Sequence, residues 1–142
     1  MKIAFQVLGE PVAKGRAKFC VRGGFAMAYT PKKTREAEGD FRTQSLKYRP
    51  KELITSAIRL VIRVYKPIPK SMSKKNRLLI EEDVLINNIP LPITRPDFDN
   101  YAKLVCDSLN GIFWKDDSQI CDCVISKRYS NSPRVEIELE GD

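Results

Sequence analysis

Two stretches of this chain change side-chain character with a period of two, and that period restricts the fold more than any other feature. Ile58, Leu60, Ile62 and Val64 alternate with Arg59, Val61, Arg63 and Tyr65, while Val135, Ile137 and Leu139 alternate with Glu136, Glu138 and Glu140. A period of two belongs to β-strands, because successive side chains point to opposite faces. The start, Met1-Lys2-Ile3-Ala4-Phe5-Gln6-Val7, alternates in the same way and has no signal-peptide cleavage pattern. It reads as a first strand, Lys2 to Leu8, closed by Gly9 and Pro11, and a cytoplasmic location is expected. Lys18 to Arg22 and Phe25 to Tyr29 flank Gly23-Gly24, a pair suited to the positive φ angles of a hairpin turn. A last pair of strands is expected at about Gln119 to Tyr129 and Arg134 to Glu140.

Helical signals fall between these strands. Thr30 is expected to cap a helix with Pro31 at its first position, running towards Tyr48 and stopped by Pro50. Its apolar stripe of Ala37, Phe41 and Tyr48 is thin and is interrupted by Gly39. Pro67 and Pro69 end the Ile58 strand, and Ser73 stands as the cap of a short helix through Leu79. A loop containing Asn87, Asn88, Pro90 and Pro92 follows and is expected to move most. A further helix is expected from about Asp99 to Asn110, with Gly111 at its C-terminal cap. Strands and helices do not follow strict βαβ order. The expectation is an α+β fold in one small domain over residues 1–142, its sheet mixed or antiparallel and packed with helices.

Composition excludes several kinds of chemistry. The 142 residues contain no histidine, which removes Ser-His-Asp and Cys-His catalysis and most catalytic zinc sites. Cys20, Cys106, Cys121 and Cys123 lack zinc-finger spacing and are expected to be buried free thiols in a reducing compartment. No run of about 18 apolar residues is present to span a membrane. Carboxylates and lysines are left to carry any reaction. The net charge is +7, but unevenly placed: residues 1–77 hold 19 basic and 5 acidic side chains, and residues 78–142 hold 6 basic and 13 acidic. The first part would attract a polyanion, while the second could concentrate cations; two oppositely charged solvated faces would read the same way.

The informative stretch is Arg95-Pro96-Asp97-Phe98-Asp99-Asn100-Tyr101-Ala102-Lys103, then Asp107-Ser108-Leu109, then Trp114-Lys115-Asp116-Asp117-Ser118-Gln119-Ile120. Tyr101, Leu104, Val105, Leu109 and Ile112 form the buried stripe of the expected helix. Asp99, Lys103 and Asp107 recur at four-residue steps on another face, and Asp97 lies just before the helix. A short loop after Gly111 leads back to a strand beginning beside Asp117. Asp97, Asp99 and Asp117 could therefore meet, with Lys103 one turn away. Clustered carboxylates repel unless a cation neutralises them, and hard oxygen donors without histidine or thiolate suit Mg²⁺, with Mn²⁺ as a substitute. Each acid also has a local reading: Asp97 or Asp99 caps the helix, Asp99 pairs with Lys103, and Asp116-Asp117 marks a turn.

The same stretch, R-P-D-F-D-N-Y-A-K with D-S-L-N-G and W-K-D-D-S-Q-I, resembles the RusA family of Holliday-junction resolvases. The resemblance is dense over Arg95 to Lys127 and looser in Gly9-Glu10-Pro11 to Lys18 and at Tyr29-Thr30-Pro31. It implies that Asp97, Asp99 and Asp117 are metal-binding catalytic acids and that Lys103 is the essential lysine, with Asp107 and Asp116 in supporting positions. It further implies a Mg²⁺-dependent homodimer that makes paired, symmetric nicks in a four-way DNA junction during recombination and repair. The Glu81 to Thr94 segment departs from the family in being acidic and apolar rather than basic. Lys14, Arg16 and Lys18, with Lys32, Lys33 and Arg35, are the expected phosphate contacts in the basic part. Two alternatives stay open at this point: a broader structure-selective nuclease acting on flaps or forks, and a basic nucleic-acid-binding module without catalysis.

Overall fold

The computed structural model describes residues 1–82 and 89–141. Asn87 and Asn88 of the proline-rich loop lie outside them. The strands are β1 (Lys2–Leu8), β2 (Lys18–Arg22), β3 (Phe25–Tyr29), β4 (Ile58–Pro67), β5 (Ile120–Ser130) and β6 (Arg134–Gly141). The helices are α1 (Lys32–Ser45), α2 (Lys74–Glu81) and α3 (Phe98–Leu109). Single 3-10 turns, Leu46–Tyr48 and Asp117–Gln119, follow α1 and precede β5. No described helix is long and apolar enough to cross a membrane.

Four strands form a mixed sheet in the order β1-β6-β4-β5, in which only β4 and β5 run parallel. β5 and β6 are consecutive in sequence but not neighbours, so the short Asn131–Pro133 link carries the chain past the end of β4. Arg134 lands with its guanidinium 3.9 Å above the Tyr65 ring, a cation–π contact at that crossing. Ile3, Leu139, Leu60 and Cys123 lie in one register row, and Phe5, Ile137, Ile62 and Ile125 in the next. These rows face the helices, and Ile62, Val64 and Ile137 are fully buried. The opposite face carries cross-strand charge pairs such as Arg63 with Glu136 and Glu138. The fold is α+β, as the interrupted order of elements predicts.

α1 and α3 cover the buried face. Tyr101, Leu104, Val105 and Leu109 of α3 join Phe41 of α1 and the strand residues in one core, beside the fully buried Phe113 and Trp114. Arg42 of α1 donates to the Ser108 carbonyl at 2.9 Å and the Asp107 carbonyl at 3.1 Å, satisfying last-turn acceptors of α3 and tying the two helices together. Gly111, at φ 79°, reverses the chain after α3, where a side chain would be strained.

Three expectations are corrected. The N-cap of α1 is Pro31, not Thr30: proline's fixed φ of −56° is combined with an extended ψ of 145°, so the helix begins one residue later. α2 has the expected Ser73 cap, whose hydroxyl accepts from Asn76 N, but it runs on to Glu81. All four cysteines are free, yet Cys121 and Cys123 are exposed because β5 is an edge strand, with no strand paired on its outer side among the described residues.

Candidate active site on helix α3

Helix α3 follows a bend at Thr94–Pro96 that is tethered to the ends of β4 and β5. Two lysines hold that segment. Lys127 of β5 donates to the carbonyls of Thr94 and Pro96, both at 2.9 Å, and Lys66 of β4 donates to the Arg95 carbonyl at 3.2 Å. Both lysines sit in the helix-facing rows of their strands, where β4 and β5 run past their last apolar residues, Val64 and Ile125. Burial, reinforced by the neighbouring Lys127 charge, lowers the Lys66 pKa, with Glu10 opposing. From the other side, Lys14 N–H donates to the Asn100 carbonyl at 2.9 Å, so the loop between β1 and β2 lies along the first turn of α3. The helix start is thus clamped from two directions.

Asp97 occupies the N-cap position of α3, but its carboxylate accepts no capping hydrogen bond. Asp99 lies in the first turn, and Lys103 stands one turn further along the same face. Asp117 is brought back to this helix by the turn through Gly111 and the buried Phe113-Trp114 pair. Its carboxylate acts on the Cys106 thiol, whose pKa is pushed up to about 12 by burial first, then by Asp117, Cys123 and Asp107. Cys106 lies at the i+7 position from Asp99, about two turns along α3, and Asp117 is near enough to it for its charge to act on the thiol. Asp97, Asp99, Lys103 and Asp117 are all exposed.

The local explanations for these acids can now be checked one by one. Among the described residues, no side-chain hydrogen bond or ion pair involves Asp97, Asp99, Lys103 or Asp117. The i, i+4 pair of Lys103 with Asp99 that the local reading offers is not formed, and neither is one with Asp107 four residues further on, among the described residues. Asp107 is paired instead with Lys14, whose ammonium also lies 4.0 Å from Glu38. The Asp117 side chain does not make the turn, because Asp116 does. The Asp116 carboxylate accepts from Ser118 N at 3.2 Å, and Gln119 reaches back to Asp116 N at 3.0 Å, a capping box around the 3-10 turn. Hydrogen bonds from the Ser118 hydroxyl and amide hold the Asp116 carboxyl below the usual carboxylate range. Asp107 and Asp116 therefore have structural occupations, and the other four residues have none.

The donors suit a hard divalent cation, since all are exposed carboxylate oxygens without protein partners. In this arrangement, however, no three acidic or thiol side chains of the described residues gather closely enough to hold a metal ion. Asp97 and Asp99 stand at the start of α3, whereas Asp117 comes near Cys106 towards its end.

Of the expected phosphate contacts, Arg16, Lys18, Lys33 and Arg35 are exposed and make no ion pair among the described residues. Lys32 pairs with Glu36 at 3.7 Å on the α1 surface. Lys14 is half-buried and already engaged with Asp107. Lys66 and Lys127 are the residues that the motif reading passes over. Their signal is present in the period-two pattern: each is a lysine at the next inward position after a run of apolar ones.

Residues 9–140 match the family model described as Endodeoxyribonuclease RusA. The chain is also 40% identical over 139 residues to the uncharacterized protein YqaN of Bacillus subtilis (strain 168), covering 96% of this chain and 94% of that protein.

Proposed function

Because this chain belongs to the RusA endodeoxyribonuclease family, we propose that it is a Mg²⁺-dependent endonuclease that resolves four-way DNA junctions by paired nicks. One observation carries the assignment to residues. Asp97, Asp99, Lys103 and Asp117 are exposed and have no side-chain partner among the described residues, while the nearby acids Asp107 and Asp116 are occupied. Carboxylates brought towards one another repel, and a bound cation would relieve that repulsion.

In this reading Asp97, Asp99 and Asp117 hold the cation. When bound, such an ion polarises a phosphate oxygen and lowers the pKa of attacking water. The protein's own part is placement. Lys66 and Lys127 fix the carbonyls of Thr94, Arg95 and Pro96, and with them the direction in which Asp97 enters the helix. Lys103 presents an unpaired ammonium one turn beyond Asp99, where it offsets negative charge growing on the phosphate. Arg16, Lys18, Lys33 and Arg35 hold the junction arms by their phosphates. A two-fold homodimer supplies two identical sites, as symmetric cuts in two strands require.

The test compares a labelled four-way junction with a flap, a duplex and a single strand, each with Mg²⁺ or with EDTA. Metal-dependent paired nicks in the junction above all other substrates are expected. Equal cutting of flaps would replace the reading with a broader structure-selective nuclease. Tight binding with no cutting in Mg²⁺ or Mn²⁺ would leave a binding module.

A further inference from the structure

The β2–β3 hairpin is a two-stranded sheet of its own, separate from the four-stranded sheet. An isolated hairpin is marginally stable in water and gains most from a surface to pack against. Yet here Phe19, Val21 and Phe25 are 74%, 74% and 76% exposed, and Met27 and Tyr29 are about half exposed. So much apolar surface on a projecting element marks a contact site.

Charge identifies the partner. Residues 11–35, which include the whole hairpin, carry seven basic side chains and no acidic one. A second copy docked through the same two-fold patch would set like charge against like charge. A polyanion would be attracted. The register then says which part of the polyanion is met. Cross-strand partners share a face, and Lys18 is opposite Tyr29, Cys20 opposite Met27, and Arg22 opposite Phe25. Both aromatic rings on this face, Tyr29 and Phe25, thus have a basic side chain beside them, and Arg35 of α1 lines the same recess as Arg22 and Tyr29. Rings interleaved with cations suit nucleobases stacked on the rings and phosphates held by the cations. The other face, Phe19 and Val21 against Ala28 and Ala26, is slim and apolar. That shape suits a wedge set against the end of a base-paired stack.

We propose that the β2–β3 hairpin is a base-stacking wedge that engages unstacked bases at the branch point of the DNA. Continuous duplex keeps its base faces covered, whereas a branch point can open them. The hairpin would therefore add preference for branched over linear DNA, beyond the phosphate contacts. This inference rests on the functional reading above.

The experiment uses the full chain without divalent metal and a four-way junction carrying 2-aminopurine beside the branch point. A second junction has the probe far along one arm. Phe25→Ser, Tyr29→Ser and Phe19→Ser remove exposed side chains, and melting curves verify folding. Wild-type protein should raise fluorescence at the branch point but not in the arm. The variants should lose that rise and weaken junction binding about tenfold or more, with duplex affinity and salt dependence unchanged. Variants that keep the branch-point signal and the junction preference would overturn the wedge alone. So would variants that bind the junction poorly because sedimentation shows a broken dimer, since the hairpin would then join two copies. A wild-type protein that binds junction and duplex alike would overturn the functional reading and the wedge with it.

Discussion

Lys103 and Lys14 lie near opposite ends of one argument about what an exposed or half-buried cation is for. Lys103 has no ion pair among the described residues, so its loss should cost little stability, within about 0.5 kcal/mol. Its ammonium is expected to act on phosphate charge, and Lys103→Gln should slow single-turnover cleavage by ~10²–10³. Lys103→Arg keeps the charge but alters reach and shape, and should rescue poorly. Cleavage within a few-fold of wild type would return Lys103 to the helix surface. Lys14 behaves oppositely. Its pKa is raised mainly by the hydrogen bond to Asp107, against some desolvation. A raised lysine pKa stabilises the fold fully below the unfolded value near 10.5 and loses that contribution as pH rises through the folded value. Lys14→Met should lower the melting temperature by a similar amount at pH 6 and pH 9, and by less in strong alkali. A difference that instead vanishes on going from pH 9 to pH 6 would contradict the pairing.

At the scale of elements, α3 is presented by a grip on the segment just before it, Thr94–Pro96, rather than by its own cap. Lys127→Met removes both hydrogen bonds to the Thr94 and Pro96 carbonyls. Supporting residues of this kind typically contribute about 10–100-fold to metal affinity or activity. We therefore expect a loss of that size in cleavage, partly recovered at higher Mg²⁺, with junction binding nearly unchanged. A Lys127→Met protein with wild-type metal dependence would show that the helix start holds without it. Much of this element pattern was legible beforehand. Period two located β1, β4 and β6, and Gly23-Gly24 located the hairpin, because both signals are local. The start of α1 was misplaced because proline is compatible with helical and extended ψ alike. The order β1-β6-β4-β5 was not legible, since placing β6 between β1 and β4 depends on long-range pairing. The inward positions of Lys66 and Lys127 are visible in the pattern, but what they hold is not, since their acceptors lie 29 to 33 residues away in sequence. Among the acids, spacing alone could not separate Asp116 from Asp117, and the capping box does.

The whole molecule divides by charge, with a basic first part that includes the hairpin and α1, and an acidic second part that carries the candidate site. Binding should be mainly electrostatic, each duplex phosphate contact adding about −0.9 to the slope of log K against log salt. Replacing Arg16, Lys18, Lys33 and Arg35 together with glutamine should flatten that slope, whereas Lys14→Gln alone should alter it little. An unchanged slope in the fourfold variant would move the DNA surface elsewhere. The central claim is narrower: the acids with no structural occupation are those that perform the chemistry. Its most direct test is single-turnover cleavage of a labelled four-way junction in Mg²⁺ by Asp97→Asn, Asp99→Asn and Asp117→Asn, with melting and junction affinity measured on the same samples. The account predicts that each variant melts like wild type, binds the junction at least as tightly, and does not cut it. A fully active Asp97→Asn or Asp117→Asn protein would contradict it.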